Sequence, residues 1–132
     1  MKKRNRTQGF TLIEILVVLI IMSVMMGLAT VLYTHAIANG DYQQCYSNEQ
    51  SVANAEEQYR LRSSAHTYTT SIASLRALLP TTPVCPDGGT YSITISNGSA
   101  TANNGQLVPN GQIVVSCSAS GHPKYAPGID TP

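Results

Sequence analysis

The chain has 132 residues, of which 11% are charged and 42% are hydrophobic, and its formal net charge at pH 7 is +1. A chain of this length is within the range of a single domain. Half of the eight basic residues lie within residues 2–6, and beyond Gly9 the side chains sum to four positive and seven negative charges. A body with a net charge of about −3 lacks the basic surface of a nucleic-acid-binding domain, so no nucleic-acid partner is expected from the charge.

A long apolar run follows the basic cluster. The 23 residues from Phe10 to Leu32 contain one ionisable side chain, Glu14. As a helix this run would be about 34 Å long, enough to cross a hydrocarbon core of about 30 Å. Basic residues before such a run favour a cytoplasmic N-terminus under the positive-inside rule. We therefore predict a transmembrane helix over residues 10–32.

Two simpler interpretations of this region remain open. A secretory signal peptide would explain the basic and apolar segments, with Ala36-Ile37-Ala38 as its cleavage site, but the run is longer than the usual h-region of 7–15 residues. The single-span anchor of a monomeric, membrane-tethered binding module explains everything except Glu14. A charge inside a span costs about 2.5–3.5 kcal/mol at mid-membrane, so a carboxylate found there usually has a partner or reaches the headgroups.

Residues 7–18 read TQGFTLIEILVV. This segment resembles the class III signal of type IV pilins and type II secretion pseudopilins, which has a short basic leader, a glycine before the cut and phenylalanine after it. The resemblance implies that residues 1–9 are a leader, that prepilin peptidase cleaves between Gly9 and Phe10, and that the new amine is methylated. It also implies an assembly role for Glu14 and Phe10, in which the carboxylate pairs with the N-terminal amine of a neighbouring subunit.

The helix is expected to continue beyond the membrane as an amphipathic stalk, residues 33–62, which gives one helix of about 50 residues. No proline occurs before Pro80, although a break at Gly40 stays open. Many pilins have a mid-span proline, and its absence here leans towards a pseudopilin. Residues at alternating three- and four-residue spacing predict one buried stripe: Cys45, Asn48, Val52, Ala55, Tyr59 and Arg62.

Residues 63–132 predict a small head with an irregular tail. A short helix is expected from Thr70 or Ser71 to Leu79, with a buried face of Ile72, Leu75 and Leu79. Alternation from Thr90 predicts a strand, followed by a hairpin with its tight turn at Asn97-Gly98, and a further strand is predicted over residues 112–117. The tail from Gly121 is expected to be irregular. The predicted class is α+β, with a long N-terminal helix and an antiparallel sheet of two or three strands.

The three cysteines allow several arrangements. If the head is exported, Cys85 and Cys117 are expected to form a disulfide worth roughly 3–4 kcal/mol, which leaves Cys45 as a buried free thiol or an alternative partner. Together with His122 the cysteines have the ligand types of a zinc site. They lack the close C-x-x-C spacing of such sites, so no metal and no cofactor is predicted.

A second resemblance concerns the head. The pattern C-P-x-G-G-x-Y at 85–91, C-S at 117–118 and G-H at 121–122, with a C-x-x-N at 45–48, resembles the heads of a group of secretion-type pseudopilins. This pattern is less specific than the leader. It favours a type II secretion pseudopilin over a type IV pilus pilin or a DNA-uptake pseudopilin.

No enzymatic function is expected, because His35, His66 and His122 are scattered and no nucleophile or phosphate-loop motif is present. Calcium binding at Asp87 is disfavoured, since the head has few acidic residues. The partners that the resemblance implies are prepilin peptidase, further copies of the chain, other pilin-like subunits and an inner-membrane assembly platform. The expected location is the inner membrane, in a single pass, with the head on the periplasmic or extracellular side. Nucleic acid is expected only for a DNA-uptake filament.

Overall fold

The structure is a computed structural model that describes residues 9–130. It contains a long helix α1 (Leu12–Arg62), a 3-10 helix (Ile72–Leu75) and three strands, β1 (Tyr91–Ile95), β2 (Ile113–Cys117) and β3 (Lys124–Tyr125). The predicted α+β class is therefore confirmed. Apart from Gly9, the predicted leader lies outside the described residues. The chain divides into two compact units, the first ending at Ile37 and the second beginning at Ala38.

Helix α1 is a single helix of 51 residues that passes through Gly40 without a break. In the first unit its apolar side chains are exposed, for example Met26 at 71% and Leu28 at 64%. The helix is long and apolar enough to cross a membrane, and none of its most apolar stretch is buried within the protein. This exposure is compatible with membrane anchoring, since so large an apolar surface needs a partner other than water.

In the second unit α1 becomes amphipathic and forms one wall of the main core. Of the predicted stripe, Cys45, Val52 and Ala55 are buried, whereas Arg62 is exposed. The core contains residues from the helix, the 3-10 segment and the sheet: Val52, Ala53, Ala55, Leu75, Ile93, Ile113 and Val115. The sequence pattern did not predict that Glu49 and Glu56 would be fully buried on the same helix.

The strands form one antiparallel sheet in the order β1-β2-β3. Tyr91 pairs with Cys117 at one end of β1 and β2. A second, smaller cluster of buried side chains includes Val114 of β2 with Val108 and Ala126. Because side chains alternate along a strand, β2 contributes to both clusters.

Three local predictions differ from the structure. The short helix reaches only Leu75, and Ser71 makes no side-chain cap, although Leu75 is buried as expected. The chain turns at Asn97-Gly98, where Gly98 has a φ of 91°. This turn does not close the predicted tight hairpin, because β1 pairs with β2 and an isolated bridge from Thr101 to Leu107 lies between them in the sequence. The tail is not wholly irregular, because it includes β3.

The carboxylate of Asp130 fixes this tail. It accepts backbone N–H bonds from Asn103 (3.1 Å), Asn104 (3.1 Å) and Ala126 (2.9 Å). Pairing of β3 with Val115 and Ser116 supplies the remaining order. Asn103 and Asn104 lie 27 and 26 residues before Asp130, so local propensity could not reveal these two contacts.

Candidate functional site

The predicted processing site lies just before α1. Gly9 and Phe10 are exposed and precede the helix, which begins at Leu12. A Cβ added at Gly9 would meet no heavy atom within 4 Å, and the residue does not have a positive φ. The fold therefore does not need glycine at position 9. The role of Gly9 in processing stays a prediction.

Glu14 is exposed and lies in the first turn of α1. Its carboxylate makes no hydrogen bond or ion pair with any residue in the range 9–130. The positive end of the helix dipole favours an acidic residue at this position. No described residue of the same chain neutralises this carboxylate, which lies at the N-terminal end of an apolar helix.

A second constellation lies in the other unit, where four potential metal ligands converge. The Sγ atoms of Cys45, Cys85 and Cys117 and a ring nitrogen of His122 all lie within 4.8 Å of one another. Cys45 is on α1, Cys85 precedes β1, Cys117 ends β2, and His122 follows it. Cys45 and Cys85 are buried, and the other two are partly buried.

The distances within this Cys/His cluster are short. Cys45 Sγ lies 3.7 Å from Cys85 Sγ. His122 Nδ1 lies 3.0 Å from Cys45 Sγ and 3.5 Å from Cys85 Sγ. All three cysteines are free thiols in the structure, and the predicted disulfide between Cys85 and Cys117 is not formed there.

The histidine ring is oriented by a carboxylate. His122 Nε2 lies 2.7 Å from Asp87 Oδ2, and the histidine side chain is 7% exposed. A carboxylate accepts hydrogen bonds, so Nε2 is the protonated nitrogen that donates to Asp87. Nδ1 then presents its lone pair to the cysteine sulfurs.

The segment Cys85-Pro86-Asp87-Gly88-Gly89 forms a tight turn against Cys117. The Gly88 N–H donates to Cys85 O at 3.1 Å, and Gly88 has a φ of 71°. A Cβ added at Gly89 would lie 2.4 Å from Cys117 Sγ and 2.9 Å from the backbone nitrogen of Ala119. Only glycine allows the backbone to approach the sulfur this closely.

Tyr91 and Asn48 complete the surroundings of the cluster. Asn48 Nδ2 donates to Tyr91 Oη and to Val84 O, both at 3.0 Å. Tyr91 Oη lies 3.1 Å from Cys45 Sγ. Because Oη accepts from Asn48, its own proton is available to donate to the sulfur. These contacts place Asn48 and Tyr91 around the same four residues.

The three thiols have different acidities. Burial raises the pKa of Cys45 to about 12 and also raises the pKa of Cys117. Burial alone would raise the pKa of Cys85 too, but hydrogen bonds from Cys117 and from the backbone N–H groups of Gly89 and Asp87 outweigh it, so this pKa is lowered. Cys85 is therefore the thiol most readily held as thiolate.

Two buried carboxyl groups also lie on this part of α1. Both oxygens of Glu49 lack a hydrogen-bond partner among the described residues, and burial raises the pKa of Glu49 to about 8. Glu56 Oε2 accepts from the Thr69 N–H at 3.1 Å, while its Oε1 has no partner in the described range. Burial raises the pKa of Glu56 as well. No sequence pattern distinguished these residues from solvated ones.

Comparison with protein families identifies one matching model, the prokaryotic N-terminal methylation motif, over residues 4–30. The chain carries the class III signal peptide of type IV pilin-like proteins. Searches of curated proteins and of solved structures found no match.

The match confirms the family resemblance drawn from the leader and the apolar helix. It supports a type IV pilin-like protein, a class of structural subunits whose motif implies processing by a prepilin peptidase and assembly with other pilin-like subunits. The motif covers Gly9, Phe10 and Glu14. It ends before the head, so the Cys/His cluster lies wholly outside it.

Proposed function

We propose that this chain is a structural subunit of a membrane-anchored filament, cleaved after Gly9 and polymerised through the N-terminal part of α1. The observation that supports this most directly is Glu14, a carboxylate at the start of an exposed apolar helix with no partner in its own chain among the described residues. Cleavage would free an amine at Phe10, four residues before Glu14 in the sequence. A neighbouring subunit shifted axially would bring its own amine to this carboxylate.

Pairing of these charges would set the register of subunits more than it would add stability. In a low-dielectric environment the cost of desolvating two charges offsets much of their attraction, whereas a misregistered neighbour would leave both unpaired. The exposed apolar side chains of the first unit would supply the packing surface between subunits. The mature N-terminus would then lie on the cytoplasmic side and the head on the opposite side of the inner membrane.

Among pilin-like proteins we favour a type II secretion pseudopilin. Its support is the head pattern formed by C-x-x-N, C-P-x-G-G-x-Y, C-S and G-H, together with the absence of proline from α1. A pilin of a type IV pilus and a DNA-uptake pseudopilin are the alternatives. Deleting the gene in its host distinguishes them: loss of proteins from the culture medium is expected, whereas loss of surface pili or of transformation with secretion intact would contradict the secretion role.

The assembly role is tested by Glu14→Ala, with Asp41→Ala as the matched control on the same helix outside the apolar run. Glu14→Ala should insert into the membrane and be cleaved normally, since it removes a charge from the span and leaves Gly9 and the basic leader in place. It should accumulate as processed monomer. Asp41→Ala should assemble as the wild type does.

The readout is cross-linking through a cysteine introduced near the start of α1, compared with the same chain without the introduced cysteine, and N-terminal mass analysis of the same samples. Multimer ladders should disappear for Glu14→Ala and persist for Asp41→Ala. Undiminished ladders for Glu14→Ala would refute the assembly role. A mature protein that begins at Asn39 rather than at Phe10 would instead establish an ordinary signal peptide.

A further inference from the structure

We propose that Cys45, Cys85, Cys117 and His122 bind one zinc ion, which ties the stalk part of α1 to the sheet of the head. The four residues come from α1, the turn before β1, the end of β2 and the segment after it. This site does not depend on the proposed function, because it lies outside the methylation motif and would be present in a monomer.

The geometry fits zinc better than a disulfide. In a tetrahedral site with Zn–S of about 2.3 Å and Zn–N of about 2.0–2.1 Å, sulfurs lie about 3.8 Å apart and sulfur and nitrogen about 3.5 Å apart. The observed separations are 3.7 Å for Cys45 to Cys85, 3.5 Å for Cys85 to His122 and a shorter 3.0 Å for Cys45 to His122, and all four ligand atoms lie within 4.8 Å of one another. A disulfide would require about 2.0 Å between two sulfurs and would leave the third thiol and the imidazole without a function.

The surroundings of His122 are those of a metal ligand. Asp87 accepts the Nε2 proton at 2.7 Å, which fixes the ring and directs the Nδ1 lone pair at the sulfurs. A carboxylate behind a ligating histidine is a recurrent feature of zinc sites and raises the basicity of the ligand nitrogen. Asp87 is 56% exposed, so this hydrogen bond is not imposed by burial of the carboxylate.

Hydrogen-bond donors also surround the sulfurs. Three thiolates and Zn²⁺ carry a net charge of −1, which needs compensation in a partly buried site. The Tyr91 hydroxyl lies 3.1 Å from Cys45 Sγ. Backbone N–H groups of Asp87 and Gly89 point at Cys85, and that of Ala119 points at Cys117.

The site gives one physical reason for the C-x-x-N pattern of α1 and for the C-P-x-G-G pattern before β1. Cys45 and Asn48 are one helical turn apart, so the first supplies a ligand while the second holds Tyr91 and the backbone before Cys85. In the C-P-D-G-G turn, Asp87 orients the histidine and Gly89 leaves room for Cys117. Ser118 then binds Thr90 through its backbone and side chain, which fixes the end of β2 beside β1.

A metal would matter to this fold because its apolar core is small. Few side chains pack between α1 and the sheet, and small cores of this kind are commonly stabilised by a metal or a disulfide. Zinc would link the helix to the sheet at Cys45. Tyr59 and Tyr68 pack against the main core at the other end of this helix–sheet interface. We therefore expect the head to unfold at lower temperature when zinc is removed.

The test uses the full chain, expressed without a histidine tag, extracted in detergent and analysed for metal by mass spectrometry. One zinc per chain is expected. Replacement by Co²⁺ should give thiolate-to-metal charge-transfer bands and the intense visible bands of tetrahedral cobalt. Thiol alkylation should be slow with zinc bound and fast after chelation, and the chelated protein should have a lower Tm.

Three variants and two controls make the assignment specific. Cys45→Ser and His122→Gln should lose the zinc or bind it much more weakly. Asp87→Asn keeps all four ligands and tests the site without disrupting the fold, with an expected 10–100-fold loss of affinity and unchanged circular dichroism. His66→Gln and Asp41→Asn remove a histidine and a carboxylate elsewhere, and should bind zinc as the wild type does.

Several results would overturn the proposal. Freshly extracted protein without zinc would do so, whether its thiols are free or Cys85 is found in a disulfide with Cys117 by non-reducing mass analysis. Equal zinc content in wild type, Cys45→Ser and His122→Gln would also refute it, since the metal would then be bound elsewhere. None of these results would affect the assembly test on Glu14.

Discussion

Gly89 offers the sharpest test of how the head is packed. Replacement with alanine would place a Cβ 2.4 Å from Cys117 Sγ and 2.9 Å from both the Cβ and the backbone nitrogen of Ala119. Non-bonded carbon atoms are at their best separation at about 3.5–4.0 Å, so the overlap with the sulfur exceeds about 1 Å. Neither neighbour is the end of a long flexible side chain, so relief requires movement of the turn or of the end of β2.

Overpacking of this kind typically costs about 1–3 kcal/mol, and involvement of the backbone places Gly89→Ala in the upper part of that range, at about 2–3 kcal/mol. For a folded unit of this size, 1 kcal/mol shifts Tm by about 4–8 °C, so a decrease of about 8 °C or more is expected. The matched control is Gly40→Ala, in the exposed part of α1, where an added Cβ meets nothing within 4 Å. That change should stabilise the helix by up to about 1 kcal/mol.

The assay is thermal unfolding of the full chain in detergent, followed by near-UV circular dichroism of the tyrosines. Chelator is present throughout, so that packing is measured apart from any metal. If Gly89→Ala melts at the same temperature as the wild type, the close approach of the turn to Cys117 is refuted. If both glycine variants lose stability equally, the cost belongs to the substitution in general and not to this contact.

Two further predictions concern Asp130 in the head and Glu56 on α1. Asp130→Ala removes the acceptor of three backbone N–H bonds and should destabilise the head by about 3 kcal/mol or more. Asp130→Asn keeps one carbonyl oxygen and should cost less. Urea unfolding that shows equal losses of stability for the two variants would refute this role. Burial raises the pKa of Glu56, so its contribution to stability is fully present below the unfolded value of 4.5 and is lost as pH rises through the folded pKa. Glu56→Gln should therefore gain stability over the wild type as pH rises from 5 to 8. The measured quantity is the difference in unfolding free energy between the two proteins at each pH, and a difference that does not change with pH would contradict the shift.

Much of this protein could be predicted from short stretches of sequence. The apolar run, the absence of proline and the three-and-four spacing indicated a single long helix, and α1 extends from Leu12 to Arg62. Alternation of Tyr91, Ile93 and Ile95 indicated β1. The methylation motif could be recognised because its residues are consecutive in the sequence. The helix and strand signals repeat over one helical turn or every second residue, so neighbouring residues determine them.

The tertiary structure alone decided which distant residues meet. The missing C-x-x-C spacing argues against a zinc site in the sequence, yet Cys45 and His122 come together from positions 77 residues apart. Strand β3 forms in a segment expected to be irregular because β2 offers it a free edge, and Glu49 becomes buried because the sheet covers that face of α1. Packing of the helix against the sheet fixes these contacts. The free energy of that packing comes from apolar burial spread over the whole core, so no short stretch of sequence can reveal it.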